Sequence, residues 1–246
     1  MLPRLAVILA AGRGERFGDQ GKLHPKGFID LGDGPIVKIS IDKLIAAGIS
    51  KVIVVSGHLA PFYQSLAKQY PGVIDLVHNP SYAQSGSMFS LACAAHSINE
   101  DFLLLESDLI YDRKALEHLA NASSPDVVLV SGATSSQDEV YVEADQGFLK
   151  NLSKNRCLLS SEPVGELVGI SRVSMAFFSH MMDYSLDVFK QTKHLEYESA
   201  LVAASAVLPM QCLKIEDLAW SEIDTKSHLE RAILQVYPSI KARECP

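Results

Sequence analysis

Leu5-Ala6-Val7-Ile8-Leu9-Ala10-Ala11-Gly12-Arg13-Gly14-Glu15-Arg16-Phe17-Gly18 is the stretch whose reading decides the fold. Its first half is an unbroken apolar run, the pattern of a strand covered on both faces. Its second half is a turn whose glycines let the backbone reach positive φ and lie close to a ligand. Successive N–H groups in such a turn form a nest for anions, and Arg13 and Arg16 add full charge beside it. Pro25-Lys26 follows, with Lys22 near it. A phosphate-bearing ligand is the expected guest. The turn is neither of the two common phosphate loops. It lacks G-K-[ST], and Phe17 stands where a dinucleotide fingerprint would have its third glycine.

Outward from this strand the chain alternates. Helices are expected over 35–49, 61–70, 87–97 and 112–122, with Asp112 as N-cap of the last. Strands are expected over 51–56, 73–77, 102–106 and 126–131. That alternation reads as βαβ units, hence a Rossmann-like α/β fold with a mostly parallel sheet flanked by helices. After residue 132 the pattern shortens. Strands over 140–143, 148–152 and 164–178 predict a small β insertion covering a face of the sheet. Helices over 181–191 and 196–206, a strand over 210–215 and a closing helix over 226–236 complete the map. One domain spanning 1–246 is expected, with an insertion over about 132–220.

Composition narrows the function classes. The 246 residues carry 22 basic and 29 acidic side chains, a net charge of −7. Such a chain is a poor general binder of nucleic acid, whose affinity comes from neutralising phosphates, although a locally basic pocket can still hold one nucleotide. Cys93, Cys157, Cys212 and Cys245 form no C-x-x-C pair, so zinc is not expected and thiols of a reducing compartment are. The apolar run is too short to span a bilayer and charged residues follow it at once, against a signal peptide. A cytoplasmic protein without membrane contact is expected.

The turn and Pro25-Lys26, read as L-A-A-G-x-G-x-R-[FL] followed by P-K, resemble the nucleoside-diphosphate-sugar pyrophosphorylase superfamily of nucleotidyltransferases. The resemblance implies the nucleotide-diphospho-sugar transferase fold. It implies that Gly12, Arg13 and Gly14 hold an NTP triphosphate, that Arg16 and Lys26 offset phosphate charge during attack at the α-phosphorus, and that the backbone of Leu9, Ala10 and Ala11 meets the base. Further segments are similar to the cytidylyltransferases acting on 2-aminoethylphosphonate or choline phosphate. These are Asn79-Pro80-Ser81-Tyr82 with Gly86-Ser87-Met88-Phe89-Ser90-Leu91, Leu103–Tyr111, Asp138-Glu139-Val140-Tyr141-Val142, Gly165–Ser171, Leu195–Glu198 and Trp220–Asp224. The L-E-S-D-L-I-Y and D-E-V-Y-V segments favour the aminoethylphosphonate branch. CTP is the implied nucleotide.

The resemblance also implies that Asp108 and Asp224 hold Mg2+, a cation that takes one or two carboxylates plus substrate phosphates. Asp108 ends a strand, where ligands of open α/β sheets bind. Asp224 could instead cap the closing helix. Glu106 and Glu222, two residues upstream of each, stay open for a role. Backbone groups near Ala10 and at Ser85, Gly86 and Ser87 could read cytosine, with Gly86 as a helix-start glycine the alternative. The acceptor's anion is expected near Lys154, unless that is a solvated surface lysine. Its ammonium is expected near Asp138, Glu139, Tyr197, Glu198 and Trp220, with core packing the alternative for Trp220.

The expected activity is transfer of CMP from CTP to a small zwitterionic phosphonate or phosphate, giving pyrophosphate. Choline phosphate or a sugar phosphate stays open as acceptor. A non-enzymatic nucleotide-binding relative is the more distant alternative. The oligomeric state is open, a homodimer included. A transaminase of the kind fused to some relatives is expected to be a separate protein.

Overall fold

Leu5–Ala10 forms β1, and all six of its residues are buried. It can be apolar throughout because it lies between two parallel neighbours with a core on each face. β2 (Lys51–Ser56) pairs it on one side and β4 (Phe102–Glu106) on the other. The structure, a computed structural model, describes residues 1–18, 21 and 23–244. Lys22 and Cys245 lie outside the described residues.

Side chains alternate across the sheet. Leu5, Val7 and Leu9 join one core with Phe102 and Leu104, while Ala6, Ile8 and Ala10 join the other with Leu103 and Leu105. Helices α1 (Ile36–Ala46), α2 (Ala60–Ala67) and α4 (Lys114–Asn121) supply Ile41, Leu66 and Leu116 to the second core. Helices α3 (Ser87–Cys93), α5 (Met175–Phe189) and α6 (Tyr197–Ser205) supply Leu91, Phe177 and Leu201 to the first. Each such buried aliphatic or aromatic side chain contributes about 1.5–3 kcal/mol. The result is a layered α/β/α arrangement.

The nine-stranded sheet runs β3-β2-β1-β4-β9-β6-β10-β8-β7, where β3 is Ile74–His78, β6 Val127–Ser131, β7 Tyr141–Asp145, β8 Phe148–Ser153, β9 Gly165–Val173 and β10 Gln211–Ile215. The chain builds outward from β1 to β3, then crosses to the other side of β1 for β4. That reversal opens a crevice beyond the carboxyl ends of β1 and β4, the place where α/β sheets bind ligands.

The region after residue 132 differs from expectation. Its strands do not cover a face of the sheet. β9 inserts antiparallel between β4 and β6, and β10, β8 and β7 extend the same sheet. β9 also pairs β7, so the strands β9-β6-β10-β8-β7 close on one another. The expected strand to residue 178 ends at Val173, because Ser174 caps α5: its side chain accepts from the Phe177 N–H and is itself held by Asp126. Asp112 does not take the N-cap position of α4, which Arg113 holds; from two residues before the helix it accepts from the Lys114 N–H.

Two three-residue strands escaped the sequence reading. β5 (Leu109–Tyr111) and β11 (Trp220–Glu222) form a separate antiparallel ribbon. After it come α7 (Lys226–Arg231), a wide π-turn (Ala232–Val236) and α8 (Tyr237–Glu244), longer than the expected closing helix. Pro238, which has no N–H to give, follows the wide turn. Cys93, Cys157 and Cys212 are free thiols. Among the described residues no helix is long and apolar enough to cross a membrane.

Candidate active site

A cleft of ≈ 700 Å³ opens beyond the carboxyl ends of β1 and β4. The glycine turn forms one wall. Gly14 sits at φ 63°, a conformation that favours glycine, and its carbonyl accepts from the Phe17 N–H at 2.9 Å. Phe17 is buried with Ile36, Ile110 and Ile223. The residue that broke the dinucleotide pattern is therefore the apolar anchor of the turn.

Lys26 rides on a single turn, Lys26–Phe28, set by Pro25. Gly27 lets that turn lie against the end of β4: a Cβ there would sit 3.0 Å from the Ser107 carbonyl. Lys26 Nζ donates to Asp108 Oδ2 at 3.0 Å and also to Asp224 Oδ1. Arg16 donates to Asp224 Oδ2 at 2.6 Å and to Asp138 Oδ2 at 2.5 Å. Asp108 and Asp224, 116 positions apart by number, thus meet around one ammonium.

The β5–β11 ribbon brings them together. Glu222 pairs with Leu109, and the Ile223 N–H donates to the Asp108 carbonyl at 3.0 Å. Asp224 does not cap α7. Thr225 does, accepting from the His228 N–H, which leaves the Asp224 carboxylate to the cleft.

Burial drives the titration of this cluster. Desolvation, with Asp108 and Glu198 nearby, pushes Glu106 up to about 8, while a 2.7 Å bond from the Tyr197 hydroxyl works against it. Glu222 is raised well above the usual carboxylate range by burial and by Glu106, Asp108 and Asp224. Asp224 is buried too, but Lys26 and Arg16 outweigh desolvation and hold it well below that range. Lys26 rises because Asp108 and Asp224 outweigh its own burial.

Oxygens of Glu106, Asp108 and Glu222 lie within 4.8 Å of one another, as do those of Asp138, Glu222 and Asp224. An all-carboxylate donor set fits a hard divalent cation such as magnesium. Glu222, shared by both groups, is the donor that sequence reading had left open.

The predicted catalytic, nucleotide-binding and metal residues all line the cleft, as do Tyr197 and Glu198. Three acceptor candidates do not. Trp220 is 9 % exposed and packs in the core with Leu129 and Leu218, so the core reading holds for it and the acceptor reading does not. Asp138 bridges Arg16 and Lys154, accepting from Lys154 Nζ at 2.8 Å, and is already neutralised. Glu139 accepts from the Gln137 N–H within its own loop.

Gly86 and Ser87 line the cleft with their own N–H groups already engaged. The Gly86 N–H donates to the Lys193 carbonyl, and a Cβ on Gly86 would fall 2.3 Å from the Leu195 carbonyl oxygen. Its missing side chain admits this backbone. The Ser87 N–H and hydroxyl both donate to Glu196 Oε2, at 2.9 and 2.5 Å, while the Ser87 hydroxyl oxygen accepts from the Tyr197 N–H. α3 and α6 thereby cap each other. Glu196 was missed because nothing local distinguishes it from its neighbours.

Glu198 is different. Its Oε2 is buried without a hydrogen-bond partner among the described residues, and burial together with Glu196 raises the carboxyl to about 7 against its own backbone N–H and the pull of Lys154. The cleft thus has a cation-bearing wall, a cluster of metal-type oxygens and a buried carboxylate with one oxygen that lacks a donor among the described residues.

The sequence matches the MobA-like NTP transferase domain over residues 6–194. A CMP-5'-(3-aminopropyl)phosphonate synthase of Streptomyces rubellomurinus is 32% identical over 58% of this chain, a match that spans only 23% of that protein. A 2-aminoethylphosphonate cytidylyltransferase of Lancefieldella rimae is 25% identical over 91% of this chain and 89% of its own. The solved inositol-1-phosphate CTP transferase from T. maritima shares the fold, with a TM-score of 0.79 at 18% identity over 98% of this chain and 97% of its own. With its phosphate-type turn and converging acids in the crevice, the chain belongs to the MobA-like NTP transferase domain family.

Proposed function

We propose that this protein transfers CMP from CTP to 2-aminoethylphosphonate, releasing pyrophosphate, and that residues 1–246 act as one nucleotidyltransferase domain whose 132–220 block supplies the acceptor end. The observation that carries this reading is the cleft's charge order. Arg16 and Lys26 stand beside the glycine turn and pair with Asp108 and Asp224, and the same cleft is lined by Glu198, whose Oε2 has no donor among the described residues.

A phosphonate oxygen attacks the α-phosphorus in line. The new P–O bond forms as the bond to the β-phosphate oxygen breaks, and pyrophosphate leaves with that electron pair. The attacking oxygen is already anionic, so no general base is required, and rate comes from positioning and electrostatics. The nest around Gly12 and Gly14 with Arg13 receives the triphosphate. Lys26 and Arg16 exchange their carboxylate partners for phosphate oxygens. Lys154 faces the phosphonate. Asp108, Asp224 and Glu222 would hold magnesium, which screens the repulsion between α-phosphate and acceptor oxygens. Glu198 receives the ammonium.

A primary ammonium offers hydrogen-bond donors that a buried carboxylate can use. A quaternary one cannot donate and needs aromatic faces. The only tryptophan lies outside the cleft. Both facts favour aminoethylphosphonate over choline phosphate.

Pyrophosphate release with CTP and a panel of acceptors is the test. Aminoethylphosphonate should give the highest kcat/KM. A preference for choline phosphate would replace the acceptor. Absence of release with every phosphonate and phosphate offered would remove the enzymatic reading.

A further inference from the structure

Asp138 does not line the nucleotide cleft, yet its carboxylate joins two cations that do. Oδ2 accepts from Arg16 Nη1 at 2.5 Å, and Oδ1 accepts from Lys154 Nζ at 2.8 Å. Arg16 belongs to the glycine turn and Lys154 follows β8, so one side chain bridges the phosphate wall and the insertion. The two cations are each 52 % exposed, against 22 % for Asp138. Lys154 makes no other hydrogen bond among the described residues, whereas Arg16 keeps Asp224 through Nη2.

The segment that carries Asp138, between β6 and β7, is under backbone strain. Ser135 at φ 55° and Gln137 at φ 70° lie in the left-handed region without being glycine. Such residues persist where the surroundings over-determine them, and they gather at functional sites. Two anchors do this here. The Thr134 N–H and hydroxyl donate to the buried Glu166, at 3.0 and 2.6 Å. The Asp224 N–H donates to His228 Nδ1 at 3.3 Å, which leaves the ring proton on Nε2 to be donated to the Ser136 carbonyl at 3.1 Å. A tied and strained loop therefore delivers the aspartate to the two cations.

Arg16 and Lys154 repel each other, and as long, half-exposed side chains each loses rotamer freedom by staying in place. A carboxylate that gives one oxygen to each offsets both costs. We propose that Asp138 is a positioning residue, which fixes Arg16 and Lys154 about one carboxylate so that the oxygens they bind, on nucleotide and acceptor, meet. It touches neither substrate and acts through the cations. The inference rests on the nucleotidyl-transfer reading but not on the identity of the acceptor. Misplacement of reacting groups by about 1 Å can cost about 10²-fold in rate, so a small drift of either cation matters.

Asparagine keeps the shape of Asp138 but offers one acceptor atom in place of two and no charge, so the bridge opens. Asp138→Asn should lower kcat/KM for the preferred acceptor about tenfold or more. Kd for CTP, measured without acceptor, should stay within a few-fold, because Lys26 and the Arg16–Asp224 pair remain. The decisive measurement is the double-mutant cycle with Lys154→Gln. If Asp138 acts through Lys154, its substitution should cost much less once Lys154→Gln is present. A part in the fold alone, or in holding a metal, would cost the same in both backgrounds. Asp138→Glu, which keeps the charge but displaces it, enters the same cycle if the asparagine variant does not fold. The proposal is overturned by parental kcat/KM in the folded variant, by a loss carried wholly by CTP binding, or by a loss as large beside Lys154→Gln as without it. Absence of pyrophosphate release from the parent with every acceptor would instead remove the nucleotidyl-transfer reading, and this inference with it.

Discussion

The wall of the cleft formed by the glycine turn comes from one run of sequence, residues 9–16, backed by the Lys26 turn. The facing wall is assembled from Lys154, Glu196 to Glu198 and Glu222, brought in by β8, α6 and β11. Their charge states differ as much as their origins. On the first wall, Arg16 and Lys26 are held by carboxylates, so the cations are preorganised and a triphosphate would take over existing pairings. On the second, Glu198 keeps an oxygen without any donor. One wall is neutralised in advance and the other awaits a cation. A local motif can encode the first condition, whereas the second requires distant segments to meet.

Lys26→Ala strikes the first wall hardest. Removing a preorganised donor from developing phosphate charge should lower kcat by about 10²–10³. The same change leaves Asp108 and Asp224 facing each other without their shared ammonium, so thermal unfolding should be recorded beside turnover. Turnover within a few-fold of the parent, in a folded variant, would break the assignment of this wall to the phosphates. Glu198→Gln addresses the second wall. It should raise KM for aminoethylphosphonate about tenfold, as loss of one charged partner does, and leave KM for CTP unchanged. Equal shifts in both constants would mean that the two walls do not divide the substrates.

The sequence made the first half of the fold readable because β1, β2 and β4 are long enough to show period and run. Buried on both faces, they leave an unbroken apolar signal at Leu5–Ala10 and Leu103–Leu105. β5 and β11 are three residues each, too short for any period, and their pairing depends on contact across 109–222. Yet this ribbon is what carries Asp224 to Asp108. The acids were legible as residues, while the device that joins them was not. Likewise Trp220 could be read as a recognition aromatic or as core, and the sequence says nothing about the face on which a strand side chain lies. Gly86 shows the same limit. Its freedom from a Cβ was readable; the Leu195 backbone that needs it was not.

Gly86→Ala sharpens this last point. The added Cβ would meet the Leu195 carbonyl at 2.3 Å, so the segment before α6 has to shift. Overpacking of this kind costs about 1–3 kcal/mol, or about 2–10 °C in Tm for a chain of this size. Gly12→Ala, where no atom of the described residues lies within 4 Å, should leave Tm near the parent value. Equal melting of the two variants would mean that the Leu195 backbone does not need a glycine at 86.

The smallest effect is a slope with pH. Burial holds Glu198 at about 7 in the folded chain against 4.5 as its ordinary value. Between those values the folded state binds a proton that the unfolded state has released. Stability from this group therefore falls as pH rises from about 4.5 to about 7 and is flat beyond, the opposite of a salt-bridged carboxylate. Glutamine cannot ionise and has no such slope. The Tm of Glu198→Gln minus that of the parent should thus widen from pH 5 to pH 7 and then level, the whole span amounting to at most about 3 kcal/mol. Saturating ammonium-bearing acceptor should flatten the parent's slope, because a bound cation restores the ionised form. If the difference between variant and parent is independent of pH, Glu198 is charged in the empty cleft, and the contrast between a neutralised wall and a waiting one fails.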